Sequence, residues 1–202
     1  MAEIGQAPGD LRTVQEFVNT LDIEQDSDDL ETPAALDDWL RRVGLSEASA
    51  ATRSSAADLT AALELREALR GVLGSHVRHG TGGPAGSQTA SQAASQTASQ
   101  AASRLAGIAA TMQARLQADA SGRVALVPAE AGSRAGLTRL LLIAAESAMT
   151  GTWGRLKVCS ADDCRWAFYD RSPTRTGCWC SMSGCGSRAK SRAYRDRAAR
   201  AG

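Results

Sequence analysis

The sequence predicts a mainly α-helical chain: a helical N-terminal domain with one short strand element, then a small C-terminal module built on four cysteines. Three observations carry this expectation. Apolar residues recur at spacings of three and four through much of the first 150 positions, the signature of helices with one buried face. All five cysteines of the 202-residue chain lie between Cys159 and Cys185, after 158 residues without one. Charge is divided in the same place. Residues 151–202 hold 11 Lys and Arg against 4 Asp and Glu, whereas residues 1–150 hold 12 against 18, so a net charge of +1 conceals balances of +7 and −6. An acidic body repels polyanions and a basic end attracts them. The division predicts a body over 1–152 and a cysteine module over 153–202, with a low-complexity insert at 80–103.

Asp10 is placed to cap a first helix carrying Leu11, Val14, Phe17, Val18 and Leu21. Asn19 follows the apolar Phe17-Val18 pair and is expected to hydrogen-bond within the fold or to cap the helix end. The acidic run over 24–31 reads as a solvated loop. Thr32 as cap and Pro33 in the first turn open a second helix, with Leu36, Trp39, Leu40 and Val43 on one face and Gly44 as its stop. A third helix is expected over 56–77, because residues 63–70 are nearly all strong helix formers. Within it Glu67 and Arg70 form an i,i+3 pair. His76 and His79 sit near its end without an acidic or cysteine partner, so a helix-terminal cation is expected there rather than a metal site.

Gly80 to Gly86 is a breaker, followed by a four-residue repeat of Ser-Gln-Thr-Ala and Ser-Gln-Ala-Ala over 87–102. With no large apolar residue before Leu105, the repeat is expected to drive no packing, as a weak exposed helix or a flexible insert. Leu105, Ile108, Met112 and Leu116 resume a helical stripe. Val124 to Val127 before Pro128 reads as a short strand. Ser133 is placed to cap a helix over 134–150, whose broad apolar face of Leu137, Leu140, Leu141, Ala144, Ala145 and Ala148 belongs in the core.

In the cysteine module, Cys159-x4-Cys164 and Cys180-x4-Cys185 stand fifteen residues apart. Two such pairs present four thiolates to one tetrahedral ion, Zn²⁺ by preference. Clustered cysteines in a chain without an export signal favour metal over disulfides, since the cytosol keeps thiols reduced. Cys178 is the odd cysteine: a bystander or redox-sensitive thiol, or a replacement for Cys180 as ligand. Trp166, Phe168, Tyr169 and the turn-forming 170–173 segment suggest a hairpin between the pairs, and a helical tail follows the second pair. Knuckle, hairpin and helix in that order make a treble-clef-like zinc finger, too small to fold without its metal. No histidine or glutamate accompanies the cysteines as a general base, so the site reads as structural zinc and the chain as a non-enzyme.

On the helical tail, Arg188, Arg192 and Arg195 share one face, and Lys190 and Arg197 another. Guanidinium groups in such a row suit a phosphate backbone. The competing reading is a tail that docks on acids of the body such as Glu64 or Glu67, making the chain a protein-interaction adaptor. With no apolar run of eighteen residues and no basic start followed by an apolar stretch, no membrane span and no secretory signal are expected. Cytoplasm is the default compartment.

Two stretches resemble known families. Trp179-Cys180-Ser-Met-Ser-Gly-Cys185-Gly186-Ser187-Arg188-Ala-Lys190, preceded by Cys159-x4-Cys164-Arg-Trp-x-Phe168-x-Asp170, resembles the CGNR zinc finger. Phe17-Val18-Asn19-Thr20 and Thr32-Pro33-Ala34-Ala35-Leu36 before Trp39-Leu40 resemble the ABATE domain, a family described as a putative stress-induced transcription regulator. The resemblance implies a helical N-terminal domain, a zinc site at Cys159, Cys164, Cys180 and Cys185, and a DNA-binding role. Nucleic-acid contacts are then expected from Arg171, Arg175, Arg188, Lys190, Arg192 and Arg195, with the helical body sensing a signal or forming a homodimer. The chain departs from the family at two places: Ser187 replaces the signature Asn, and Gly177-Cys178 replaces the basic pair usual before the Trp.

Overall fold

The computed structural model describes residues 5–46, 53–77 and 88–201. Helix α1 (Leu11–Val18) buries Leu11, Val14, Phe17 and Val18 along one face. Asp10 occupies the N-cap position without a side-chain cap, because its backbone is already helical (φ −64°) rather than extended. Its carboxylate instead lies 3.5 Å from Arg139. Helix α2 (Pro33–Arg42) starts as its sequence dictates: Thr32 is extended and its hydroxyl accepts the Ala35 N–H at 3.1 Å. Helix α3 (Ala56–Ser75) is closed at its start by a reciprocal Ser55–Asp58 capping box. Helix α5 (Gly132–Met149) begins earlier than expected. Ala131 is its N-cap, and Ser133 is buried inside the first turn rather than capping it. Phe17, Leu36, Trp39, Leu40, Leu65, Leu69, Leu73, Leu137 and Leu140 from these four helices form one core, with the Phe17 and Trp39 ring centres 5.2 Å apart.

The repeat belongs to a long helix, α4 (Gln88–Ala110), which lies along α3. Ala101 is buried, and a Cβ on Gly71 of α3 would come within 2.8 Å of its methyl. Small residues therefore let the two backbones approach closely, and the stretch contributes packing without any large side chain. The helical stripe expected through Leu116 stops early. After Ala110 the chain turns into strand β3 (Ala114–Ala118), which pairs antiparallel with β4 (Val124–Pro128), Leu116 opposite Leu126. Leu116, Val124 and Leu126 are exposed on one face of this ribbon. His79 and the 80–86 breaker lie outside the described residues.

The acidic run is also more ordered than a solvated loop. Strands β1 (Leu21–Asp22) and β2 (Ser27–Asp28) pair antiparallel and are tied to α3 by two buried arginines. Arg66 grips both Asp28 carboxylate oxygens at 2.6 Å. Arg70 reaches the Val18 carbonyl at 2.5 Å and the Leu21 carbonyl at 3.2 Å, and pairs with Glu67 at 2.7 Å as the i,i+3 spacing predicts. Burial opposes ionisation of Asp28, but its bonds to Arg66 and the Leu30 N–H hold its carboxyl below the usual range.

After a 3₁₀ turn (Trp153–Arg155), strand β5 (Leu156–Val158) pairs antiparallel with β6 (Ala167–Tyr169). This hairpin encloses the first cysteine pair instead of running between the two pairs. Trp166 closes the knuckle and Phe168 lies in β6, opposite Lys157, so this stretch folds back on β5. Leu156, Val158 and Ala167 enter the core of the helical body. A π-helical turn (Met182–Gly186) then leads into helix α6 (Ser187–Ala201). Among the described residues no helix is long and apolar enough to cross a membrane.

Candidate metal centre and basic helix

Strand β5 delivers Cys159, whose N–H donates to the Trp166 carbonyl at 2.9 Å. The chain then makes a tight knuckle: the N–H groups of Cys164 and Arg165 both donate to the Ala161 carbonyl at 3.0 Å, with Arg165 in the left-handed region (φ 51°). The second pair is set by a turn of its own. Ser181 Oγ accepts the Gly184 N–H at 3.2 Å, and the Ser181 carbonyl accepts the Gly186 N–H at 3.0 Å. The four Sγ atoms of Cys159, Cys164, Cys180 and Cys185 lie within 4.8 Å of one another. Cys164–Cys180 and Cys180–Cys185 are each 3.7 Å apart. A tetrahedron with Zn–S bonds of about 2.3 Å has edges of about 3.8 Å, so the sulfur spacing suits that ion.

Residues 155–198 match the CGNR zinc finger, and residues 11–150 match ABATE, described as a putative stress-induced transcription regulator. The chain belongs to the ABATE family and carries a CGNR zinc finger. Both matches agree with the resemblance and with its N-to-C order. No curated protein matches the chain. Neither family is an enzyme family.

The chemistry of the sulfur cluster fits a dication. Thiol donation from Cys164, then Cys180, pulls Cys159 down to about 2. The resulting thiolate, which Cys164 serves as donor, pushes Cys164 up to about 12, and Cys159 and Cys164 together push Cys180 up as well. Ionisation of one of these thiols therefore opposes ionisation of its neighbours. Full ionisation needs a cation at the centre. When bound, zinc supplies cross-linking rather than reactivity, since four sulfurs fill its tetrahedron.

Cys178 stays outside the cluster. Its carbonyl accepts the Ser160 N–H at 2.9 Å, and burial raises its thiol, so the spacing alternative in which it substitutes for Cys180 does not match the geometry. Ser187, in place of the signature Asn, donates from Oγ to the Met182 carbonyl at 3.0 Å and joins the π-turn to α6. The other departure, Gly177, also has a local reason. A Cβ there would meet the Asp170 carboxylate at 2.9 Å, and the Gly177 N–H donates to that carboxylate at the same distance.

Two sets of polar contacts position the finger, and the sequence signalled only one member of them. Asn19, at the end of α1, clamps Ala167 of β6 on both sides: its Oδ1 accepts the Ala167 N–H at 2.7 Å and its Nδ2 donates to the Ala167 carbonyl at 2.9 Å. Gln15 adds a bond to the same carbonyl at 3.1 Å. The second set is a buried ion pair. Lys157 Nζ, on β5, donates to Asp170 at 2.7 Å, to the Arg175 carbonyl at 2.6 Å and to the Gly177 carbonyl at 3.0 Å. Burial alone would raise Asp170, but Lys157, Ser172 and Gly177 hold its carboxyl at about 2. An alternating Lys157 between Leu156 and Val158, with an aspartate after β6, is the only trace of this pair in the sequence.

The six basic residues expected at a nucleic-acid surface do not share one face. Arg171 is exposed and donates to the Gln6 carbonyl at 3.0 Å, and Arg175 is exposed in a left-handed turn (φ 55°). Arg188 points back into the finger: Nη2 lies 3.2 Å from the Cys185 sulfur and Nη1 donates to Glu24 at 2.5 Å. Glu24, then the Cys185 sulfur, raises the Arg188 pKa further. Arg192, on the same side of α6, lies 3.8 Å from Asp163 beside the knuckle. Lys190 and Arg195 are exposed. Glu67 is engaged by Arg66 and Arg70, and the acid of the body that meets the tail is Glu24 of the β1–β2 loop. His76 Nδ1 lies 2.8 Å from the Leu156 carbonyl and its ring meets Trp153 edge-on, which ties α3 to β5.

Proposed function

We propose that this chain is a transcription regulator that binds DNA through its CGNR finger, with Zn²⁺ held by Cys159, Cys164, Cys180 and Cys185. The observation that carries the reading is the position of α6: its first turn grows out of the π-turn bearing Cys185, and Lys190, Arg192, Arg195 and Arg197 along it are exposed. Zinc would fix the direction of that helix relative to the knuckle. Lys190, Arg192 and Arg195, with Arg171 and Arg175 from the turn after β6, would meet phosphates, while Arg188 balances the thiolates and holds the helix start. The acidic body would keep the surface away from unspecific polyanion contact and carry the sensing or dimerising role.

Binding to a mixed-sequence duplex, followed by fluorescence anisotropy at 50 and 200 mM salt, tests this reading. Affinity should fall steeply with salt, and Arg192→Ala with Arg195→Ala should reduce the slope of log K against log salt by about 1.8, two phosphates at about 0.9 each. Salt-independent binding, or none by the zinc-loaded protein, would sink the proposal. The Arg188–Glu24 pair favours a second reading, in which zinc and this contact dock the tail on the acidic body and the finger serves as a protein-interaction adaptor. Under that reading Glu24→Gln would change partner capture and leave nucleic-acid binding absent.

A further inference from the structure

Helix α6 has two basic faces, and the structure gives them different occupations. Arg188, Arg192 and Arg195 lie within about 60° of helical arc, using 100° per residue. The first two members of that face are already turned to Glu24, the Cys185 sulfur and Asp163. On the opposite side, Lys190, Tyr194 and Arg197 fall within a similar arc. All three are exposed, and Tyr194 has 69% of its surface in solvent. Among the described residues Lys190 and Arg197 have no ion pair with the body. The free face is therefore two cations flanking an aromatic ring, rather than a row of arginines.

An aromatic ring left in water between two cations matches one polyanion better than others. Duplex DNA hides its base faces in the stack and offers phosphates and groove edges, for which a ring is of little use. A single strand offers unstacked bases with a phosphate on either side. Tyrosine takes a base face, and Lys190 and Arg197 take the neighbouring phosphates. We infer that the Lys190–Tyr194–Arg197 face of α6 binds single-stranded nucleic acid by stacking a base on Tyr194. This inference rests on the nucleic-acid reading above and deepens it by naming the face and the form of the strand.

The zinc-loaded full-length protein should be titrated with a fluorescent twelve-nucleotide single strand and with its duplex at two salt concentrations. Tyr194→Ala should weaken single-strand binding about tenfold, leave duplex binding within twofold, and leave the salt slope unchanged. Tyr194→Phe, which keeps the ring, should bind like the parent. Lys190→Ala with Arg197→Ala should lower the single-strand slope by about 1.4, at about 0.7 per phosphate. Zinc content and helicity serve as folding controls, since all three positions are solvent-facing. Single-strand binding that survives Tyr194→Ala but is lost in Arg192→Ala with Arg195→Ala would overturn this inference and leave the nucleic-acid reading standing. An equal loss on duplex and single strand would overturn the stacking role. Salt-dependent binding of neither form would remove both.

Discussion

The helical body and the cysteine finger are stabilised by different means. The body closes a core of leucines, Phe17 and Trp39 from four helices, with Arg66 and Arg70 held inside it through their Nη atoms while both Nε atoms are buried without a hydrogen-bond partner. The finger has a cluster of Cys159, Ala161, Cys164 and Cys185 with Trp166, Trp179 and Cys180 packed against it, too little apolar surface to fold by burial alone. It compensates in two ways: by a four-sulfur centre, and by lending Leu156, Val158 and Ala167 to the body's core. The lesson is that β5 and β6 belong energetically to the body, whereas the knuckle, the π-turn and α6 depend on the metal.

Removing zinc gives the largest expected effect and breaks the comparison if it is wrong. A chelator, or Cys164→Ser, should cost the finger on the order of 10 kcal/mol of folding free energy. The near-UV signal of Trp166 and Trp179 should collapse while far-UV helicity falls only by the share of α6. Loss of the whole helical signal would mean that the body has no independent core. Next in size is Lys157→Ala, which leaves Asp170 buried without its cation and should cost about 3–5 kcal/mol, read as a lower urea midpoint. Because that pair sits at the seam, its loss should loosen both regions together.

A smaller effect separates the seam from the core by pH. Asp170 is held down to about 2 in the folded chain, against an ordinary value of 3.8. Its contribution is therefore complete above about pH 4 and is lost as pH falls towards 2, amounting to about 2 kcal/mol. The difference in urea midpoint between the parent and Asp170→Asn should shrink across that window, with both proteins stripped of zinc so that acid release of the metal adds nothing. A difference that stays constant would mean that the carboxylate is not ionised against Lys157. The smallest effect belongs to Glu24→Gln. An exposed contact to Arg188 should leave the melting temperature unchanged within error, yet proteolysis at α6 should quicken if the pair holds the tail.

Much of this was legible in the residues, for physical reasons that differ from place to place. The Thr32-Pro33 start, the apolar stripes of α1, α2, α3 and α5, and the two four-residue cysteine spacings are local signals, and the structure brings all four sulfurs together. Other readings failed where local chemistry met a stronger long-range partner. Asp10 was a good cap by type, but its backbone became helical and its carboxylate turned to Arg139. Leu116 continued a helical spacing, but pairing with Leu126 drew it into a strand. The Ser-Gln-Ala repeat lacked large apolar residues, and only the neighbouring Gly71 shows why alanines suffice against α3.

By itself the sequence determined the helical class, the four-sulfur module and the separation of acidic from basic halves, because periodicity, metal-ligand spacing and charge are properties of the linear chain. Which face of α6 is free was decided only by the tertiary structure. Nothing in the order of residues 187–201 says that Glu24, more than 160 positions earlier, and Asp163 will occupy Arg188 and Arg192. That assignment depends on Arg66 and Arg70 holding the β1–β2 loop against α3 and on Asn19 fixing the finger to α1. Arg188 and Arg192 meet acids that only folding brings near, whereas Lys190, Tyr194 and Arg197 on the other side remain available to a ligand.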